Sequence, residues 1–236
     1  MSHLLERKYM KFIIVLMLFL SFHAKAMYFS SYIYEMGSKE EFISKYLTND
    51  TETNNLYTVS AYAIEKPSNT NEVRLNTPDK EILYAPLRKT IDKKVTDLFK
   101  IYYRGPKDDK ERYYRVSFVE TPLTLYNNKQ TDRASTYLPS IALSTILIVR
   151  PRKPNFQYVI DEKQGFIKNT GNTFFRVSIG NGCDGKDEDA DQFYMLPGEE
   201  YHNKSITQEN RKLLIYDKRY IPVGERCKDS IAEEEK

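Results

Sequence analysis

The sequence predicts an all-β protein of the sandwich class, and three observations carry that prediction. Short runs rich in Val, Ile, Tyr, Phe and Thr recur along the 236 residues, and polar, Pro or Gly positions bound them. The run Tyr113–Val119 alternates between apolar and polar faces, as a half-buried strand does. No long helix is evident after residue 27, and strands without alternating helices are typical of a β-sandwich.

The predicted strands follow these runs in chain order. In Tyr113–Val119, the residues Tyr114, Val116 and Phe118 fall on one face, with an Arg and a Ser between them on the other. The segment Ser38–Leu47 is the best candidate for a helix, but its aromatic residues leave the assignment ambiguous. The predicted strands include Leu56–Ile64, Ile82–Tyr84, Leu98–Tyr103, Tyr113–Val119, Ile141–Val149, Phe174–Ile179 and Leu213–Tyr216.

A proline-rich connection divides the chain into two predicted domains. Pro151 and Pro154 lie within four residues, and a central strand cannot continue through them. We therefore predict a first domain over 27–150, a linker over 151–154 and a second domain over 155–236. The end of the second domain, Lys228–Lys236, is rich in charged residues and is predicted to be a poorly ordered tail.

The N-terminal segment has the pattern of a cleavable export signal. Arg7, Lys8 and Lys11 form a positive region, the apolar run Phe12–Phe22 follows, and Ala24–Ala26 supplies a small-x-small cleavage pattern. The apolar run is about half the ~20 residues that a membrane-spanning helix needs. A buried N-terminal helix or a membrane anchor is the alternative interpretation. A signal peptide over 1–26 predicts export, and no other long apolar run follows that would insert the mature chain in a membrane.

Removal of the signal changes the charge of the protein. The mature chain would begin near Met27, and Met10 offers an alternative start for the precursor. The full chain has a formal net charge of +3, whereas the mature chain has 32 basic and 32 acidic residues and is neutral. A balanced chain lacks the basic excess that is typical of nucleic-acid binders, so we expect no nucleic-acid partner.

The mature chain is poorly supplied with catalytic groups, and we predict that it is not an enzyme. It contains no nucleophile elbow, HExxH helix, CxxC pair or phosphate-binding loop. His202 is its single histidine and follows a turn, so a solvated loop is the preferred interpretation. The acidic run Asp184–Asp191 lacks the EF-hand spacing, which favours an exposed loop over a calcium site. We expect no metal and no cofactor.

Two cysteines, Cys183 and Cys227, lie in the second predicted domain. In an oxidising compartment they could form a disulfide, which would stabilise the folded state by ~4 kcal/mol on the chain-entropy model. Two free thiols, or a metal site, are the alternatives, and a metal site usually needs more ligands nearby. A disulfide is the preferred interpretation.

The strongest apolar strand of the mature chain is Ile141–Val149. Its residues Ile141, Leu143, Leu147 and Val149 share one face. An ordinary central strand, buried on both faces, accounts for this composition. The functional alternative is an exposed edge strand that lends side chains to a partner by strand addition.

A family resemblance favours the second interpretation. The stretch Ile101–Glu120 (IYYRGPKDDKERYYRVSFVE) resembles the region around strands E and F of PapD-like periplasmic pilus chaperones. Thr145–Pro151 (TILIVRP) is similar to the end of the family's G strand, and Asn169–Thr173 (NTGNT) to the hairpin that opens its second domain. Within this family, the chain is most similar to the common-pilus (Mat/ECP-type) chaperones, which share the motif Y-[RK]-G-P-x-D-x-K-E-R-Y-Y-R found here at Tyr103–Arg115.

This resemblance implies two immunoglobulin-like domains set at an angle and a function in pilus assembly. Such chaperones lend their G strand to an incomplete pilin, without ATP or cofactor, and deliver it to an outer-membrane usher. Ile141 and Leu143 fit the donor positions best, and Tyr137 and Pro139 continue the same parity upstream. The alternative function is that of a secreted immunoglobulin-like adhesin or structural pilus subunit.

The resemblance also implies an interdomain charge network and one departure from the family. Glu111, Arg150 and Asp217 fall at the family's network positions, although three unrelated surface charges are the alternative. The family's Arg and Lys clamp for the subunit's terminal carboxylate has no counterpart here. Lys39 or Lys45 could replace part of it on the basis of charge alone.

Overall fold

The computed structural model describes residues 26–68, 70–76, 81–123, 140–225 and 227, which form sixteen strands and two single helical turns. The turns are a 3₁₀ turn, Asp187–Asp189, and an α-helical turn, Lys204–Thr207. The strands are β1 (Met27–Tyr28), β2 (Ile33–Met36), β3 (Phe42–Asn49), β4 (Asn55–Ile64), β5 (Ile82–Ala85), β6 (Arg88–Ile91), β7 (Thr96–Tyr103), β8 (Arg112–Pro122), β9 (Ile141–Val149), β10 (Tyr158–Asp161), β11 (Phe166–Asn169), β12 (Phe175–Ile179), β13 (Asp191–Met195), β14 (Glu200–His202), β15 (Lys212–Tyr216) and β16 (Arg219–Pro222).

Strands β1–β9 form a sandwich of two sheets. One sheet has the order β1-β3-β7-β5, and the other has the order β2-β9-β8-β4-β6. The alternation read in β8 places Val116 and Phe118 in the core, where both are fully buried. The ring of Phe118 meets that of Phe99 from the opposite sheet, with 5.5 Å between centroids. This contact joins the two sheets across a core that is rich in aromatic side chains.

Strands β10–β16 form a second, smaller sandwich with its own core. Its sheets have the orders β10-β11-β14 and β13-β12-β15-β16. Phe175 and Val177 on β12 pack with Ile167 on β11, and all three are fully buried. No described sheet contains strands from both sides of residues 150–157. The protein is therefore all-β, with two immunoglobulin-like sandwich domains.

The helix considered for Ser38–Leu47 was the wrong alternative. The structure begins β3 at Phe42 and pairs it with β7 in antiparallel register. Ile43 and Leu47 face the core, while Phe42 and Tyr46 are exposed on the outer face of the sheet. Exposed aromatics and a lysine at an inward position conceal the period of two in the sequence.

The second domain carries the described cysteines in a disulfide. Cys183, in the loop after β12, is bonded to Cys227, beyond the end of β16, with 5.2 Å between the Cα atoms. Within the described residues, no helix has the length and apolar character needed to cross a membrane. Residues 1–25 of the predicted signal peptide, and the predicted donor positions Tyr137 and Pro139, lie outside the described residues.

Candidate functional site: the edge of β9 and the domain junction

Strand β9 has a different neighbour on each side. Along its whole length, from Ile141 to Val149, it pairs with β8 in antiparallel register. On the opposite side it pairs with β2 in parallel, but only from Ile146 to Val149. We call Ile146–Val149 the paired half. Residues Ile141–Thr145 form the free half, because no described strand covers their outer edge.

The inward face of β9 changes from solvent to core along the strand. Ile141 is 47% exposed, Leu143 is partly buried against the core, and Leu147 is completely buried. Between them, the buried Thr145 donates its hydroxyl to the Val116 carbonyl at 3.1 Å. Ile141 and Leu143 therefore have apolar surface to offer a partner, whereas Leu147 is committed to the chain's own core.

Within the described part of the chain, the backbone of the free half also has no strand paired along its outer edge. In the paired half the amide of Ile146 donates to the Tyr32 carbonyl at 2.8 Å, and Arg150 donates to Met36 at 3.0 Å. Since backbone groups of alternate residues point to the same edge, Ala142 and Ser144 direct theirs to the uncovered edge. This edge can accept one added strand through backbone hydrogen bonds.

The end of β9 leads directly into the contact between the two domains. Arg150 is nearly buried, and its guanidinium donates to the Phe174 carbonyl at 2.7 Å and to the Thr173 hydroxyl. It also donates to Glu35 at 2.9 Å, and it stacks on the Phe174 ring at 3.8 Å from the centroid. A single side chain thus ties β9 and β2 to the start of the second domain.

Glu111 completes this junction network. Its carboxylate is 3.6 Å from Arg150 and accepts hydrogen bonds from the Phe174 amide at 2.9 Å, the Thr173 hydroxyl at 2.9 Å and the Tyr113 hydroxyl at 2.7 Å. The side chain is 1% exposed, and burial raises the pKa of Glu111, although these donors and Arg150 act in the opposite direction. The Glu111 carboxylate in the first domain therefore binds a backbone amide of the second domain.

The structure brings Glu111 and Arg150 together but places Asp217 elsewhere. Asp217 lies exposed in the turn between β15 and β16, where it and Lys218 both have positive φ, 49° and 61°. The second carboxylate of the network is instead Glu35 on β2, which pairs with Arg150. Sequence reasoning missed it, because an isolated Glu in a short strand carries no motif, and the resemblance covers this region only loosely.

The two lysines considered for anchoring a subunit differ in position. Lys39 is exposed in the loop after β2. Lys45 lies at an inward position of β3, with its ammonium 4.2 Å from the centroid of the Tyr34 ring, and burial lowers its pKa. Ile33 on β2 and Ile146 on β9 are register partners on the outer face of the five-stranded sheet.

The histidine considered for acid–base chemistry, His202, lies on β14 in the second domain. His202 is exposed, and its ring lies 2.7 Å from Glu200, which bonds Lys168 as well. No group of three His, Cys, Asp or Glu side chains suited to a metal occurs among the described residues. The arrangement that stands out among the described residues is therefore the outer edge of the free half of β9, next to a hydrogen-bonded domain junction.

Comparison with solved structures identifies the class of fold. The class 5 fimbriae chaperone CfaA is 12% identical and matches 84% of this chain and 97% of its own, with a TM-score of 0.52. The Escherichia coli chaperone DraB is 12% identical and matches 85% of this chain and 98% of its own, also with a TM-score of 0.52. The fold is that of the PapD-like pilus chaperones.

Sequence comparison identifies the family. The chain is 34% identical over 195 residues to the probable fimbrial chaperone EcpE of Escherichia coli, covering 82% of each chain. It is 28% identical over 196 residues to the probable fimbrial chaperone EcpB of Klebsiella pneumoniae, covering 80% of this chain and 86% of that protein. No family model matches the sequence. The chain belongs to the fimbrial chaperone family of the common-pilus type.

Proposed function

We propose that the protein is a periplasmic chaperone that captures pilus subunits by donor-strand complementation and delivers them to an outer-membrane usher. The observation that carries this proposal is the free half of β9, where a backbone edge that no described strand covers adjoins the exposed Ile141 and the partly buried Leu143. A subunit that lacks an edge strand exposes both unpaired backbone groups and apolar surface. One added strand covers both, which removes the cause of aggregation.

In this mechanism the chain supplies a strand and performs no covalent step. The backbone groups of Ala142 and Ser144 pair with the subunit, while Ile141 and Leu143 enter its groove. Thr145 ends the donor face, because its side chain is buried in the chaperone's own core. Tyr137 and Pro139 continue the parity of the donor face upstream. No cofactor or nucleotide has a role.

The junction network holds the second domain in a fixed relation to the donor strand. Arg150 immediately follows β9 and donates to the Thr173 hydroxyl and the Phe174 carbonyl, so the donor strand ends at the contact with the second domain. A buried network of this kind specifies geometry even where its net stabilisation is small. We assign it the role of presenting the donor strand and the second domain as one rigid unit, with a domain boundary at 151–154.

The proposal is tested by subunit capture in cells. The chain is co-expressed with a common-pilus major subunit, and the periplasmic complex is isolated and quantified. The double variant Ile141→Asp with Leu143→Asp places two charges on the donor face and should abolish capture, because each charge would be desolvated in the groove. The matched control, Ser44→Asp with Tyr46→Asp, places two charges on an exposed strand face of the other sheet and should capture normally.

Wild-type yield of complex from the donor-face variant would contradict the donor-strand assignment. Incorporation of the chain itself into the fibre would favour the adhesin or structural-subunit alternative. Export is tested separately: N-terminal sequencing of protein from the periplasm should give a start near Met27. Usher delivery is tested by recovery of the usher with the complex and its absence with the free subunit.

A further inference from the structure

Lys212 is a buried cation at the beginning of β15, in the second domain. Its side chain has no exposed surface, and its ammonium group donates to a Glu162 carboxylate oxygen at 2.8 Å, to the Asn210 carbonyl at 3.0 Å and to the Gln208 carbonyl at 3.2 Å. All three protons of the ammonium group are therefore used. Taking two charges out of water has a desolvation cost that an apolar residue avoids, so stabilisation alone is a weak explanation for this pair.

The other oxygen of the Glu162 carboxylate binds the segment that leads to Cys227. It accepts a hydrogen bond from the Glu225 amide, two residues before Cys227, at 2.8 Å. Gly224 lies against the same carboxylate: its φ is +86°, and a Cβ atom there would be 2.5 Å from Oε1 of Glu162. A side chain at this position would displace the carboxylate. The Lys212–Glu162 pair therefore fixes the backbone immediately before Cys227.

The segment that contains Asn210 also binds the backbone before Cys183. The Asn210 side chain accepts a hydrogen bond from the Gly182 amide at 2.8 Å, and the Gly182 carbonyl accepts one from the Arg211 amide at 3.0 Å. Residues 208–212 are therefore connected to the segments before both cysteines.

We propose that the Lys212–Glu162 pair is a template for the disulfide, because it holds Cys227 beside Cys183 in the folded, reduced second domain. This inference is independent of the proposed function. The two cysteines are 44 residues apart in sequence. An unstructured loop of such length brings its ends together at an effective concentration on the order of millimolar. Segments that are held on one support bring the two thiols together more often, so the bond forms as a late step in an ordered site.

The reaction needs an oxidant, and a small-molecule disulfide such as glutathione disulfide supplies it. One cysteine first exchanges with the oxidant, which gives a mixed disulfide and releases one glutathione thiol. The thiolate of the other cysteine then attacks the protein sulfur of the mixed disulfide, and the second glutathione leaves as a thiolate. Two electrons and two protons pass from the cysteine thiols to give two glutathione thiols. The template acts on the second, intramolecular step.

The effective concentration of the two thiols measures the template directly. The folded chain is equilibrated in mixtures of reduced and oxidised glutathione, and the fraction with a closed disulfide is measured by thiol alkylation and mass spectrometry. Glu162→Gln should lower the effective concentration by about tenfold, because it weakens the connection between Lys212 and the Glu225 amide. The matched control Glu200→Gln alters an exposed ion pair with Lys168 in the same domain and should leave the effective concentration unchanged.

A pair of glycine variants separates the template from backbone strain. Gly224 and Gly198 have similar φ angles of +86° and +81°, but a Cβ atom at Gly198 would have no neighbouring group within 4 Å. Alanine is strained at both positions. Gly224→Ala should lower the effective concentration of the thiols as Glu162→Gln does, whereas Gly198→Ala should change only the stability.

A purely structural role of the pair predicts different results. If Glu162→Gln lowered the stability of the reduced and the oxidised protein equally, the effective concentration would be unchanged and the template would be overturned. In concentrated urea, wild type and Glu162→Gln should form the disulfide at equal rates, because the pair exists only in the folded chain. A difference that persists in urea would also contradict the proposal. If Glu162→Gln does not fold, the comparison of Gly224→Ala with Gly198→Ala decides the question.

Discussion

The two halves of β9 have similar sequences and different surroundings. Ile141 and Leu143 in the free half match Leu147 and Val149 in the paired half in apolar character. Yet Ile141 is 47% exposed, whereas Leu147 is completely buried. The difference begins where β2 joins the sheet, at the register pair of Ile33 and Ile146. Burial of this face decreases with distance from β2, from Leu147 and Thr145 to Ile141, so a partner strand along the free half can bury what is exposed.

The largest expected effect lies at the end of the paired half. Arg150→Ala should lower the free energy of unfolding by about 3–5 kcal/mol, because it leaves the buried Glu111 carboxylate without its cation. Urea unfolding measures the change. The control Lys107→Ala removes an ion pair with Glu41, in which both side chains are exposed, and should cost less than about 1 kcal/mol. Equal losses in the two variants would show that the junction network contributes no more than a surface pair.

A matched pair of truncations tests the comparison itself. Leu147→Ala should cost about 2–5 kcal/mol, because it leaves a cavity in the first core. Ile141→Ala should change stability by less than about 0.5 kcal/mol, since its side chain is half in solvent. Subunit capture should follow the opposite order, with Ile141→Ala the more impaired when both variants are folded. Similar unfolding costs for the two would contradict the division of β9 into halves.

Thr145 lies at the boundary between the halves and should show an intermediate effect. Thr145→Val keeps the shape of the side chain but removes its hydrogen bond to the Val116 carbonyl. A loss of about 1 kcal/mol is expected in thermal unfolding. Ser144→Ala, which removes only an exposed hydrogen bond to Ser117, should be close to neutral. An unchanged thermal stability of Thr145→Val would mean that this buried hydrogen bond makes no net contribution to folding.

The smallest expected effect is a pH dependence at the junction. Burial raises the pKa of Glu111 in the folded chain above that in the unfolded chain, so the folded state binds the proton more readily. Its contribution to stability is therefore complete below the usual carboxyl pKa and is lost as pH rises through the raised value. Relative to Glu111→Gln, the wild type should gain stability between pH 7 and pH 4. If the difference in unfolding free energy between wild type and Glu111→Gln stayed constant from pH 7 to pH 4, or changed in the opposite direction, the raised pKa of Glu111 would be contradicted.

Much of the fold was predictable, because its strands carry their pattern in the sequence. The alternation of Tyr114, Val116 and Phe118 is the pattern of burial in β8, and the bounds of β9 are those predicted. The pattern fails in β3, where Lys45 faces inward and Tyr46 outward. Side-chain type predicts burial only where the packing of neighbouring strands buries the apolar face of a strand and leaves its polar face in solvent.

The site was less predictable, because it depends on pairing between distant segments. The sequence shows that Ile141–Val149 is apolar, but only the register with β2 shows which half is free. Likewise, Arg150 is visible as a motif residue, whereas its partner Glu35 is 115 residues away on a four-residue strand. Asp217 matched the family position but lies in a turn that faces solvent.

The disulfide has a consequence for how the protein can be produced. Both cysteines of the chain, Cys183 and Cys227, belong to the second domain, so the first domain has no thiol chemistry of its own. Expression in a reducing cytoplasm would remove the crosslink from the second domain and leave the sandwich that contains β9 unaltered. Recombinant protein made in a reducing compartment would therefore retain an unaltered β9 beside a second domain of reduced stability.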